Sequence, residues 1–316
     1  MATISYNQSS ASALALLTGS TRALERQTVR VASGREVNQA SDNAAYWSIA
    51  TSMRSTGLSL SSAQDAAGLA AATTDIASLG MEAATGIVSE IKAKLILARS
   101  PGVDRDAVNA EIAQLKEQLG TVSESASFNG ENWLQASGAP GVKSLVASLS
   151  TGPDGTTSIN TIEVDTSETT LTSSGNPEDG LLTRTYSGTT PAGNAYEYYL
   201  LSSGGTPASA TAKEVGISNA TTEDELDGMI SAVDSMLSGL TSAGARLGAT
   251  SGRIGGNMDF LSKLQDSIER GVGRLVDADM EESAVKLAAA KVQQQLQTIG
   301  LNIANEQAKS ILTLFR

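Results

Sequence analysis

The sequence predicts a mainly α-helical chain in which long, coiled-coil-like helices from both ends form a nested bundle carrying a small β-rich central insert. Three observations predict it. Apolar residues recur in alternating steps of three and four over long stretches, the a and d spacing of helices that share a buried seam. All six prolines lie between Pro101 and Pro207, so both flanks lack the strongest helix breaker. Aromatics are only 3% of the 316 residues while hydrophobics are 40%, so the core must be aliphatic, which suits close helix packing.

The longest run begins Tyr46, Ile49, Met53, Thr56, Leu60, Ala63 and continues without a slip to Ile91, Leu95 and Ala98. As one helix it would be about 80 Å long. After the breaker at Ser100 to Asp104, the residues Val108, Ile112, Leu115, Leu119 and Val122 keep the rhythm, which predicts a second helix folded back antiparallel. A third run extends from Leu226 through Leu240, Leu247, Ile254 and Leu261 to Leu275, and Thr222 to Glu225 ahead of it reads as a capping box. Between the second and third runs the chain changes character. Residues 150–212 are roughly half Ser, Thr and Gly, with β-prone pieces (Thr161 to Asp165, Tyr196 to Leu201) between turn signals at GPDG, SGNPEDG and TPAGN, favouring a folded β-rich insert.

The two extremities carry shorter heptads of their own. Leu14, Leu17, Thr21, Leu24, Thr28 and Val31 form one, and Val285, Ala289, Val292, Leu296, Ile299 and Ile303 form the other. Neither is in phase with its neighbour, so a register break is expected near each end. Out-of-phase helices cannot share the middle seam, which marks Leu14, Leu17, Leu24, Val31, Val285, Val292, Leu296, Ile299 and Ile303, with Ile311 and Leu314 beyond them, as a surface for other copies of the chain. The expected division is residues 1–42 with 277–316 as a terminal helical domain, 43–138 with 221–276 as the bundle, and 139–220 as the exposed insert. Charge follows this map: residues 1–60 sum to +2, residues 253–316 to zero and residues 135–250 to −9, so the ends can crowd together while the middle stays solvated.

Composition excludes much chemistry. There is no Cys and no His, which removes disulfides, thiolate nucleophiles, imidazole bases and the usual zinc or haem ligands. A net charge of −12 argues against nucleic acid and anionic membrane as partners. No apolar run reaches a membrane span, and Met1 to Ser20 lacks the order of a cleavable signal, so an exported chain would use another route. The glycines at Gly252, Gly255 and Gly256 lie inside a heptad run without the lysine of a phosphate loop and read as a close helix approach. Asp277, Asp279, Glu281 and Glu282 read as a capping face at the register break in preference to a metal site. No enzyme activity, cofactor or metal is expected; a carboxylate-based hydrolase would need a cleft the heptads do not build.

The segments VASGREVNQASDNAAYWSIA and VDADMEESAVKLAAAKVQQQLQTIGLNIANEQAKSILTLFR resemble the two ends of bacterial flagellins, and Phe128-Asn129-Gly130 matches a turn that flagellins place after their second bundle helix. Gly34, Val37, Asn38, Ala40, Asp42, Asn43, Ala44 and Ala45 match the N-terminal pattern. Asp277, Asp279, Gln295, Ala304, Asn305, Leu312, Leu314 and Arg316 match the C-terminal one. The wording, with Tyr46-Trp47 and a Phe-Arg ending, is most similar to flagellins of rhizobia and related alphaproteobacteria. Glu36 departs from the pattern, standing where the family usually has a basic residue.

The resemblance implies a subunit that polymerises into the extracellular flagellar filament for swimming. The terminal helices would line an inner tube, the bundle an outer tube, and the insert the surface. Implied partners are the chain itself, sister flagellins, the export apparatus with a chaperone, and the hook-associated junction and cap proteins. A junction protein or another secreted coiled-coil protein would share these ends and is the alternative. The host receptor for flagellins reads an Arg-Val-Arg-Glu-Leu-like face on the first bundle helix. Here Glu90-Ile-Lys-Ala-Lys-Leu95 stands over that stretch, so weak recognition is expected.

Overall fold

The computed structural model describes residues 7–151, 157–203 and 210–314. The elements run α1 (Gln8–Ser33), α2 (Ala44–Ala98), α3 (Arg105–Ser125), β1 (Ser127–Phe128), β2 (Glu131–Asn132), β3 (Gln135–Ala136), β4 (Val142–Thr151), β5 (Thr157–Asp165), β6 (Thr172–Ser173), β7 (Tyr186–Thr189), β8 (Ala195–Tyr199), β9 (Lys213–Glu214), α4 (Glu223–Val276) and α5 (Met280–Leu314). The chain is mainly helical with a small central β insert. Among the described residues no helix is long and apolar enough to cross a membrane.

Each helix begins where a side chain can accept from its free amides. Asn7 accepts from Ser10 ahead of α1, Asn43 from Tyr46 ahead of α2, and Asp104 from Asp106 and Ala107 ahead of α3. At α4 the capping box is complete: Thr222 Oγ1 accepts the Glu225 amide at 3.2 Å, and Glu225 Oε2 accepts the Thr222 amide at 3.0 Å. At α5 the carboxylate of Asp279 accepts the amides of Glu281 and Glu282. The heptad register breaks coincide with the interruptions between α1 and α2 and between α4 and α5.

Two compact units divide the chain, residues 59–263 and residues 1–58 with 264–316, the dividing points falling inside α2 and α4. In the 59–263 unit α3 folds back on α2. Lys94 pairs with Glu111 at 2.5 Å near the turn, and Gly80 faces Ala126 at the far end of α3. The residues Met81, Ala84, Val88, Ile91 and Leu95 of α2 bury with Val108, Ile112 and Leu119 of α3 and Leu226, Val233, Leu240 and Leu247 of α4, so the three heptad runs share one core. Arg105 secures the point where the chain returns from the insert: Nε donates to the Ala98 carbonyl at 3.0 Å, and the guanidinium also reaches the Thr221 carbonyl and Glu223.

The insert folds against α4. The loop Asn129-Gly130 joins β1 to β2 with φ of 50° and 82°, the two positive values a tight hairpin needs. β4 and β5 form an antiparallel ribbon with an irregularity between Val146 and Ser148, and β7, β8 and β9 form a three-stranded sheet. The β-prone pieces named from sequence become β5 and β8; the turn signal GPDG lies outside the described residues. Tyr196 and Tyr198 stack at 6.0 Å and approach Gly228 so closely that an added Cβ would meet them at 3.1 to 3.3 Å.

The close helix approach expected at Gly252, Gly255 and Gly256 does not occur within the chain. Gly252, Gly255 and Gly256 lie within continuous α4, but among the described residues no atom comes within 4 Å of where their Cβ atoms would sit. They make no close helix approach within the chain, because the seam side of this stretch is held by Leu247 and Ile254 while the glycines are not buried.

Candidate assembly surface at the chain ends

The unit formed by residues 1–58 and 264–316 brings the two chain ends together. α1 and α5 pack antiparallel: Asn7 Nδ2 donates to the Ala304 carbonyl at 3.1 Å and Gln294 Nε2 to Thr21 Oγ1 at 3.4 Å. Along α5 the partly or fully buried positions are Ser283, Leu287, Ala290, Gln294, Gln297, Leu301 and Ala304, a three-four rhythm facing α1. On α1 the matching positions include Leu17, Ser20, Leu24, Gln27 and Val31.

The apolar stripe named from sequence lies elsewhere on α5. Val285 is 70% exposed, Leu296 63% and Ile303 62%, and Val292 and Ile299 are exposed as well. Position 285 is two residues from 283, about 200° around a helix, so this stripe points away from α1. On α1, Leu17, Leu24 and Val31 are half-buried against α5, whereas Leu14, Leu16 and Val29 are exposed. Ile311 and Leu314 lie on the last turns of α5, and Arg316 lies outside the described residues. Sequence reading missed the Ser283 to Ala304 stripe. The signal was present as a second three-four rhythm, but small and polar residues carry little hydrophobic periodicity.

The motif residues meet at the two helix interruptions. Gly34 ends α1 with φ 68°, in the left-handed region where glycine has no Cβ to clash. The next residues run against the end of α4: the amides of Glu36 and Val37 donate to the Val276 carbonyl, at 2.7 Å and 3.3 Å. Val37 then buries with Ala50 and Val276. The Asp42 carboxylate accepts from the amides of Asn38 and Gln39, and the Asn38 amide group donates back to the Arg35 carbonyl. Asn43 caps α2, the backbones of Asp277 and Arg35 form an isolated antiparallel β-bridge, Asp279 caps α5, and Asn305 accepts from Ser10 Oγ at 2.8 Å. Glu281 and Glu282 stand exposed in the first turn of α5, where carboxylates favour the positive helix end. Of these acids it is the Asp279 carboxylate that caps the helix.

A chain whose two ends form one helical pair, capped by short interruptions and joined to a helical core with a β insert, defines a class of helical proteins built by folding both termini together. The N-terminal helical region of bacterial flagellin matches residues 4–139, and its C-terminal helical region matches residues 230–315. Over the full length of both chains, the protein is 45% identical to Flagellin C of Rhizobium meliloti (strain 1021), 36% to Flagellin A of the same strain and 33% to Flagellin of Brucella melitensis biotype 1. The chain belongs to the bacterial flagellin family, structural and non-enzymatic proteins that polymerise as the extracellular filament of the flagellum.

Proposed function

We propose that this subunit assembles through α1 and α5, with Leu14, Val285, Val292, Leu296, Ile299 and Ile303 contacting neighbouring copies and Leu17, Leu24 and Val31 supporting them from the helix seam. In this reading residues 1–42 with 277–316 form the inner layer of the filament, 43–138 with 221–276 the outer layer, and 139–220 the surface. The observation that carries it is the outward apolar stripe of α5, since a row of exposed Val, Leu and Ile on an otherwise solvated helix gains free energy only when another surface covers it. Leu296→Asp tests it by placing a charge in the seam between copies. The variant is expected to keep the thermal unfolding of the 59–263 unit unchanged and to stop filament growth on seeds, read by sedimentation. Growth at the unaltered rate refutes the assignment.

Family membership also supports contacts with sister flagellins, an export apparatus and chaperone, and hook-associated junction and cap proteins, each testable by co-purification from cells. For the host flagellin receptor the reading is weak recognition. On α2 the Lys92 ammonium pairs with Asp234 and Lys94 with Glu111, so both cations of the stretch from Glu90 to Leu95 are committed within the fold.

A further inference from the structure

Among the described residues Asn129 is the one non-glycine with a positive φ, at 50°, and it precedes Gly130 at 82°. It is also the only asparagine of the sequence that is followed by glycine. Both residues are exposed, no atom lies within 4 Å of where a Gly130 Cβ would sit, and among the described residues the Asn129 side chain has no hydrogen bond. The strands that hold this turn are short, with Ser127 opposite Asn132 and Phe128 opposite Glu131. Asn132 anchors them. Its Nδ2 donates to the Ser123 and Glu124 carbonyls at 2.8 and 3.3 Å, and its Oδ1 accepts the Leu134 and Gln135 amides at 2.8 and 3.0 Å. Trp133 and Leu134 beside it are buried. An exposed tip is thus tied through one side chain to the end of α3 and to the core.

We propose that Asn129 is a site of spontaneous conversion to isoaspartate, gated by the hairpin and able to loosen it. The Gly130 backbone nitrogen attacks the side-chain carbonyl carbon of Asn129 and forms a C–N bond. The side-chain nitrogen leaves as ammonia, taking up the proton that the Gly130 nitrogen loses. Water then opens the cyclic imide at either carbonyl carbon and leaves aspartate or isoaspartate. The balance is water taken up and ammonia released, with no oxidant or enzyme. Glycine favours the step, because a side chain at position 130 would crowd the attacking nitrogen. The closed hairpin opposes it, because ring closure needs the Asn129 backbone to rotate out of the left-handed region in which the paired strands hold it. Reaction therefore proceeds through local opening, and a hairpin this short stays closed only as long as the Asn132 bonds hold it. Isoaspartate routes the main chain through an extra methylene, for which a tight turn has no room, and adds a carboxylate. Each conversion disfavours the turn permanently, beside the bonds that tie α3 to Leu134. In a chain that polymerises as an extracellular filament, such a change records the age of the subunit.

The test is incubation of the full chain at mildly alkaline pH, with residue 129 followed by peptide mass spectrometry and isoaspartate revealed by an isoaspartyl methyltransferase. Position 129 is expected to convert faster than every other asparagine of the folded chain, and faster still when the chain is unfolded in urea. No conversion in the folded chain, or an equal rate in the unfolded one, overturns the proposal. Asn132→Ala removes the anchor and is expected to raise the rate about tenfold or more. An unaltered rate in that variant refutes the gating. Amide exchange of residues 84–95 reports that it is folded; if that protection is lost, urea below the unfolding midpoint must speed conversion in the unaltered chain instead, and failure to do so refutes the gating equally. Aged protein should show faster exchange at residues 123–134, whereas aged Asn129→Gln, which forms no such ring readily, should not. Equal exchange in the two overturns the loosening.

Discussion

The carbonyl of Gly34 accepts the amide of Ala278 at 2.9 Å, joining the end of α1 to the second residue past α4. Gly34 makes this contact in the left-handed region, with φ 68°. Gly34→Val should cost about 1–2 kcal/mol or more, since a branched side chain resists that region. The expected readout is faster amide exchange at residues 30–38 and 276–279 with residues 84–95 unchanged. Gly34→Asn, which tolerates the conformation better, should lose less.

Two glycine-to-alanine substitutions should have opposite signs. At Gly80 the new Cβ would meet Leu134 Cδ1 at 2.5 Å and Ala126 Cβ at 3.0 Å, in a buried part of α2. Overpacking costs about 1–3 kcal/mol, against a gain of up to about 1 kcal/mol in helix propensity. Gly80→Ala should therefore lower the thermal midpoint. Gly252→Ala meets no atom within 4 Å and should raise unfolding stability by up to about 1 kcal/mol. Equal shifts in urea midpoint for the two would contradict the packing.

Acid should weaken the start of α4. The Thr222 amide and hydroxyl, with Lys213, hold the Glu225 carboxyl below its usual range. A depressed folded value contributes stability above the unfolded value, lost as pH falls through the folded one, so the loss should begin near the ordinary glutamate value of about 4.3 and grow below it. Urea unfolding followed from pH 7 to pH 3 should show a smaller decline for Glu225→Gln than for the unaltered chain. The variant should also be the weaker protein at pH 7, where the carboxylate is the better acceptor.

Receptor stimulation should be low. Lys92 and Lys94 supply point charges already paired with Asp234 and Glu111, where a recognised flagellin offers arginine forks. Purified monomer in a cell reporter assay is expected to be over about tenfold less potent than a recognised flagellin, the effect of losing about 2 kcal/mol at an anchor. Equal potency at equal concentration would sink this expectation.

Much of the fold was legible because heptad spacing is a local property. The alternation from Leu60 to Leu95 fixes which face of α2 is buried, and Thr222 with Glu225 marks the start of α4 within four residues. The assembly surface was only half legible. Periodicity found Val285 to Ile303 as the most apolar stripe of α5 and marked it for other copies, yet did not separate it from Leu17, Leu24 and Val31, which are half-buried within the chain. The seam through Ser283, Ala290 and Gln297 is built from residues whose burial depends on a partner far away in the chain.

By itself, then, the sequence determined that the ends are helices out of phase with the middle, that the core is aliphatic, and that cysteine and histidine chemistry is absent. Hydrophobic periodicity, capping residues and composition act over a few turns and need no distant contact. The tertiary structure alone decided which face of α5 turns to α1, why Gly80 and Gly228 are glycine, and how Gly34 and Val37 meet Ala278 and Val276. Those outcomes depend on which surfaces approach within van der Waals or hydrogen-bonding distance, a property of chain segments brought together in space.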